Sequence, residues 1–63
     1  MYIGQVKKPY AKDWRTVVHA GEILHDVINK TRTLAMKDET IMQVVEVHAQ
    51  RWDRIQVVWE SSH

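Results

Sequence analysis

No cysteine occurs among the 63 residues of this chain, and this absence constrains the possible folds more than any other feature of the sequence. A chain of this length buries only about 60% of the surface that it exposes when unfolded, so its stability is marginal without a cross-link or a partner. Without cysteine, disulfides, thiolate zinc sites and thiol nucleophiles are excluded. We therefore expect a single domain over residues 1–63 that gains stability from contact with another surface.

The distribution of apolar residues argues against a membrane protein. Apolar runs reach only three residues, as in Val57-Val58-Trp59, whereas a membrane span needs about twenty. The first eight residues lack the apolar stretch of a secretory signal. Apolar residues make up 44% of the chain and charged residues 27%, which is typical of a globular protein. These patterns predict a cytoplasmic protein with no membrane partner.

The first half of the chain predicts a short strand followed by a helix. Residues 2–7 have the composition of a strand, and Pro9 ends it. Residues 14–30 follow the period of an amphipathic helix, with an apolar arc opposite a polar one. Asp13 is the expected N-cap of this helix.

The C-terminal third allows two interpretations. Eight of the 21 residues from Thr40 to Glu60 are β-branched, which favours a pleated sheet. We therefore predict a hairpin, with strands over residues 40–49 and 54–60 and a turn between them. The alternative is a helix with an apolar seam, formed by Ile41, Val45, His48, Trp52, Ile55 and Trp59.

The predicted fold is α+β, in the order β-α-β-β. One amphipathic helix packs on one face of a small three-stranded sheet that ends in the C-terminal hairpin. The predicted core consists of Val6, Trp14, Val17, Leu24, Val27, Ile28, Val45, Val47, Ile55, Val57 and Trp59.

The other face of this sheet is the predicted functional surface. In the predicted register it carries an apolar centre with a polar rim, a pattern typical of protein contacts. The predicted contact residues are Met42, Val44, Glu46, His48, Arg54 and Val58. We expect a small regulator or inhibitor that binds another protein or forms a homodimer. In size alone, the chain resembles accessory proteins of phages and other mobile elements.

The sequence offers little for catalysis or cofactor binding. Glu22 and His25 match one Glu-x-x-His unit, but a di-iron bundle needs two such units and two further glutamates. Gly4 and Gly21 are the only glycines, so no glycine-rich phosphate loop is present. We expect no enzymatic activity, no metal, no cofactor and no small-molecule substrate.

A nucleic-acid-binding regulator is the alternative function. Residues 1–37 hold seven basic and three acidic residues, a net charge of +4, whereas residues 38–63 hold two and five, a net charge of −3. Basic and aromatic side chains near the N-terminus could contact phosphates and bases. The candidate residues are Lys7, Lys8, Tyr10, Lys12 and Arg15. In addition, the six residues from His19 to Leu24 resemble the opening helix of some plasmid antitoxin repressors, which implies a small DNA-binding protein.

Overall fold

The computed structural model describes residues 1–48 and 51–61, with the backbone but not the side chains of residues 51–54. These residues form one helix and four antiparallel strands. The elements are β1 (Tyr2–Lys7), β2 (Arg15–Gly21), α1 (Leu24–Leu34), β3 (Ile41–His48) and β4 (Arg51–Glu60). The α+β class is therefore confirmed. Among the residues described, no helix is both long and apolar enough to cross a bilayer.

The sheet has the strand order β2-β1-β3-β4. β1 lies inside the sheet, because it pairs with β2 on one side and with β3 on the other. Its residue Val6 lies opposite Arg15 of β2 and Met42 of β3. β2 and β4 are the edge strands.

The predicted helix over residues 14–30 is wrong in its first half, because Arg15–Gly21 form β2 and the helix begins at Leu24. An interior strand needs hydrogen-bond partners along both edges, and β2 supplies those of β1 on the side away from β3. Residues 16–18 are all β-branched, which favours an extended backbone. The sheet therefore has four strands rather than three, and the element order is β-β-α-β-β.

The helix also ends later than predicted, at Leu34 rather than at residue 30. Threonines in its last turns hydrogen-bond to the helix backbone. The Thr31 Oγ1 donates to the carbonyl of Val27 at 2.7 Å, and the Thr33 Oγ1 donates to the carbonyl of Asn29 at 2.9 Å. These bonds satisfy hydroxyls that would otherwise compete with the helix.

The C-terminal hairpin is confirmed, although its second strand begins at Arg51 rather than at residue 54, and the helical alternative for this region is wrong. β3 and β4 pair in antiparallel fashion, with Val47 opposite Ile55 and Val45 opposite Val57. Val44 lies opposite Trp59, so β4 has one extra residue, Val58, at this point. This bulge shifts the alternation of side chains along β4.

The sheet has two faces, and α1 packs on one of them. A Cβ atom on Gly4 would overlap the Thr31 Oγ1, so Gly4 points toward α1. Residues directly opposite each other on neighbouring strands share a face. Val44 is the partner of Gly4 on β3, and it therefore also points toward α1. We call this side the helix face and the other side the open face.

The core is small and consists mainly of valines. Among the described residues, the buried apolar side chains are Val6, Val27, Val44, Val45 and Val47. Val44 was not predicted in the core. Of the predicted core, Ile55 and Val57 are exposed, whereas Trp14, Val17, Leu24, Ile28 and Trp59 are half-buried. The larger apolar side chains are therefore only partly buried, and the fully buried part of the core consists of valines.

An ion pair connects β2 to the segment between α1 and β3. The Arg15 guanidinium donates to both carboxylate oxygens of Glu39, at 2.8 and 2.7 Å. The same carboxylate accepts the backbone N–H of Met36 at 2.8 Å. The hydrogen bonds from Arg15 and from the Met36 N–H lower the pKa of Glu39 to about 2. Glu39 is therefore a buried structural anion.

Candidate functional site

The open face carries an apolar strip that crosses three strands. Ile3 on β1, Val45 on β3 and Val57 on β4 lie side by side, because each is the register partner of the next. Val47 and Ile55 form the neighbouring pair toward one end of the sheet. Ile55 is 62% exposed and Val57 is 44% exposed. We call these five residues the apolar strip.

A row of uncharged polar side chains lies beside the apolar strip. The Gln43 side-chain amide donates to the Gln5 side-chain carbonyl at 2.8 Å. The Gln5 amide in turn donates to the Thr16 hydroxyl at 3.4 Å. We call these three residues the glutamine ladder. The ladder fixes its side chains across β2, β1 and β3, so this part of the open face is pre-organised.

Two charged side chains lie near the glutamine ladder on the open face, Lys7 beyond it along β1 and Glu60 beside it on β4. The Lys7 ammonium lies 5.0 Å from the centre of the Trp14 ring, within range of a cation–π contact. Glu60 on β4 lies opposite Gln43 and is exposed. A pocket of about 250 Å³ lies here, lined by Trp14, Ile41, Met42, Gln43, Glu60 and Ser61.

The predicted contact residues do not share one exposed face. Met42, Val44 and Glu46 lie on the helix face, because their partners on β1 are Val6, Gly4 and Tyr2. Val44 has no exposed surface, so its prediction as a surface residue is wrong. Two others remain on the surface. His48 is exposed and lies 3.9 Å from the Glu46 carboxylate, whereas Val58 is half-buried. The side chain of Arg54 lies outside the described residues.

The cause of this error is the composition of β3. In the sequence Val44-Val45-Glu46-Val47, apolar residues occur on both alternating sets of positions, so alternation alone does not show which set faces the helix. A shift of one residue exchanges the two faces of a strand. β1 gives a clearer signal, because Gly4 and Val6 alternate with Gln5 and Lys7. The polar set on β1 marks the open face and could have identified the glutamine ladder.

The predicted nucleic-acid-binding residues are only partly available. The Lys8 ammonium lies 3.4 Å from the Asp38 carboxylate, and Arg15 is held by Glu39. Lys7 lies over Trp14. Tyr10, at 78% exposed, and Lys12, also exposed, remain accessible. The five residues therefore do not form a continuous basic surface.

The histidines and carboxylates near the start of α1 are separated by the strand–helix boundary. His19 belongs to β2, Glu22 precedes α1 and His25 lies inside it. Within the described part of the chain, no group of three or more histidine, aspartate or glutamate residues could hold a metal ion. Residues 19–24 resemble the opening helix of antitoxin repressors in sequence. In the structure, residues 19–21 are part of β2, so this segment does not form an opening helix.

Comparisons with known proteins find no relative of this chain. No protein-family model, no curated protein and no solved structure matches it. Its function is therefore inferred from the geometry of its surfaces.

Proposed function

We propose that this chain is a small, non-enzymatic interaction module that binds protein through its open face. The observation that carries this proposal is the exposure of Ile55 and Val57 on a face that α1 does not cover. An exposed apolar patch beside a polar border is typical of protein-binding surfaces. Val45 and Val47 of the strip are already buried in the core, so the stability gained on binding would come mainly from covering Ile55 and Val57.

Two observations support a non-enzymatic role. The pocket on the open face has a volume of about 250 Å³, below the range of roughly 300–1,000 Å³ typical of ligand sites. A wider groove of about 670 Å³ lies on the helix face, and its lining includes Arg32, Met36 and Glu39. Arg15 and the Met36 N–H already hold the Glu39 carboxylate as an anion. It therefore lacks the pKa near neutrality that favours a general acid or base.

The test compares two pairs of substitutions at residues of similar exposure. Ile55→Asp/Val57→Asp places charges on the apolar strip. Leu34→Asp/Met36→Asp is the matched control, because these residues are 51% and 61% exposed and lie at the end of α1 and just beyond it. The readout is the set of proteins captured on immobilised wild type and on each variant. Circular dichroism confirms that both variants are folded.

We expect the wild type and the control to capture the same protein and the strip variant to lose it at least tenfold. Equal capture by both variants would contradict the proposal. The proposal is also wrong if the wild type captures no protein, its own chain included.

Nucleic-acid binding is the alternative, and the exposed Tyr10 and Lys12 are the observation in its favour. Each phosphate contact on duplex DNA contributes about −0.9 to the slope of log K against log salt concentration. Because Lys8 and Arg15 are paired with carboxylates, we expect a slope no steeper than about −2, or no binding. A slope near −4 would mean that these ion pairs open on DNA, and it would favour the alternative.

A further inference from the structure

We propose that the pocket on the open face receives an arginine side chain of the protein that binds there. This inference rests on the proposed function, because it assigns a chemical group to the partner that covers the apolar strip. Trp14 and Glu60 both line this pocket, and we call it the Trp14–Glu60 pocket. It offers a carboxylate, an aromatic ring and room for one side chain.

Two hydrogen-bond acceptors lie side by side in the Trp14–Glu60 pocket. Glu60 and Gln43 are register partners on β4 and β3, so their Cβ atoms lie about 4.5–5.5 Å apart. The Gln43 amide nitrogen donates to Gln5, and the Gln43 carbonyl oxygen remains an acceptor. The Ser61 hydroxyl and the Met42 backbone bond to each other. A ligand therefore meets a carboxylate and a carbonyl, which together favour a positively charged donor.

The Trp14 ring already attracts one cation within the chain. The Lys7 ammonium lies 5.0 Å from the centre of this ring, but Lys7 does not line the pocket, so it does not fill it. Lys7 also repels a second cation, and the Glu60 carboxylate must therefore supply the attraction. Glu60 forms no ion pair with any of the residues that the structure describes. Its charge is thus available to a cation that enters from outside.

The shape and size of the pocket favour a guanidinium over an ammonium or a larger ligand. A guanidinium is planar, so it stacks on an indole ring and directs N–H groups at two acceptors at once, whereas an ammonium is compact and strongly hydrated. The volume of about 250 Å³ holds roughly eight atoms of the size of a water molecule, at about 30 Å³ each. An arginine side chain has a similar number of non-hydrogen atoms, and its stem packs on Ile41 in the lining.

The Trp14–Glu60 pocket lies beside the apolar strip. Gln43 and Val45 are two residues apart on β3, and their partners on β4 are Glu60 and Val57. Two residues of a strand span about 7 Å. A partner that covers Val57 therefore places its arginine about 7 Å from the side chains over the strip. The strip supplies apolar contact, and the pocket selects for arginine, which is enriched among the residues that dominate binding energy.

The test uses arginine blocked at both ends, as N-acetyl-arginine methylamide, and the same derivative of citrulline. Citrulline has the shape of arginine, but a neutral urea group replaces its guanidinium. Each probe is titrated at constant ionic strength while NMR records the shift of the Trp14 indole N–H, identified by its absence in Trp14→Phe. The variant is Glu60→Gln. The matched control is Glu22→Gln, which removes an exposed carboxylate from the segment before α1.

We expect wild type and Glu22→Gln to bind blocked arginine with equal, millimolar dissociation constants. Replacing the probe by blocked citrulline, or the protein by Glu60→Gln, should each weaken binding about fivefold, the scale of one exposed ion pair or cation–π contact. Blocked lysine should bind more weakly than blocked arginine. Equal binding of arginine and citrulline, equal binding of arginine and lysine, or an affinity that Glu60→Gln leaves unchanged would each overturn the inference.

The capture experiment separates this inference from the proposed function. Glu60→Gln should capture about fivefold less of the partner than Glu22→Gln does, and blocked arginine should compete with the partner more strongly than blocked citrulline. Capture that depends on Ile55 and Val57 but not on Glu60 overturns the partner's arginine and still supports the open face as a binding site. A wild type that captures no protein contradicts the proposed function, whereas binding of blocked arginine that depends on Glu60 would still support a guanidinium site.

Discussion

At the scale of single residues, Gly4 sets how closely the helix packs on the sheet. An added Cβ atom would overlap the Thr31 Oγ1 and would lie 3.3 Å from the Val18 Cβ. Thr31 is itself fully buried, and its hydroxyl is fixed by the bond to the Val27 carbonyl. The hydroxyl therefore has little freedom to move aside. The glycine is required here by the close approach of the helix, since its backbone angles are ordinary.

We predict that Gly4→Ala lowers the free energy of unfolding by about 1–3 kcal/mol, the range typical of overpacked cores. The measurement is chemical denaturation followed by circular dichroism. Thr31→Ala removes the oxygen that causes the overlap, so the double variant should be more stable than the sum of the two single effects predicts. Additive effects would contradict the contact between these residues.

A second prediction concerns Glu39 and acid stability. Its pKa in the folded protein is lowered to about 2, mainly by Arg15, whereas an unfolded glutamate titrates near 4.3. A lowered folded-state pKa means that the ionised pair stabilises the protein above about pH 4.3 and that this stability is lost as the pH falls toward 2.

The corresponding measurement is the melting temperature of wild type and Glu39→Gln between pH 2 and 7. Glu39→Gln should melt lower than wild type at pH 7 and should approach it near pH 2. Glu22→Gln, at an exposed carboxylate, is the control and should follow the wild-type curve. A constant difference between Glu39→Gln and wild type across this range would show that the charge of Glu39 is not what stabilises the fold.

At the scale of elements, β2 shows what the sequence pattern could not determine. Val17 and Val18 fit the apolar arc of a helix and also fit a strand, so periodicity did not separate the two. The deciding factor is the need of β1 for a partner on its second edge, which is a property of the whole sheet. The C-terminal hairpin was predictable because β-branched residues are dense there, and β1 was predictable as a short extended segment that Pro9 ends.

Two threonines test these assignments with the same substitution. Thr16 lies in β2 and Thr33 in α1. Thr16→Ala should destabilise the protein by about 0.5–1 kcal/mol, because alanine is a weaker strand former and the Gln5 bond is lost. Thr33→Ala should be neutral or stabilising by up to about 0.5 kcal/mol, because alanine favours helices. Thermal denaturation measures both. A stabilising Thr16→Ala would favour the helix that the sequence predicts over residues 14–30.

The candidate site was predicted as a kind of surface but not as a set of residues. An uncovered sheet face follows from one helix on a small sheet. Its residues depend on which alternating set of β3 faces α1, and the sequence has valine in both sets. The bulge at Val58 changes the alternation again on β4. Neither the register nor the bulge is visible in a single sequence.

At the scale of the whole molecule, the small core makes stability sensitive to single methyl groups. The buried apolar residues described are five valines, and a domain of this size is expected to have only about 3–5 kcal/mol of stability. Losing one well-packed side chain therefore removes a large share of the total.

Two valine-to-alanine variants test whether the buried valine is the one in the structure or the one predicted from the sequence. Val44 is fully buried and Val57 is 44% exposed, the reverse of their predicted placement. Val44→Ala should cost about 2–3 kcal/mol, and Val57→Ala less than about 1 kcal/mol. Urea denaturation at low protein concentration measures the folding of the chain without a contribution from self-association. A larger cost for Val57→Ala would mean that the two faces are reversed.

The interior position of β1 also affects how the protein is made. β1 is the first of the four strands to be synthesised, yet its partner β3 follows α1, and the paired residues Val6 and Met42 are 36 positions apart. At about 5–20 residues per second, a ribosome needs several seconds to cover this distance, whereas a hairpin forms within microseconds. β1 and β2 are therefore synthesised seconds before β3, and one edge of β1 has no partner strand during that time. We expect the yield of native protein to depend on translation speed and on chaperones that cover that edge.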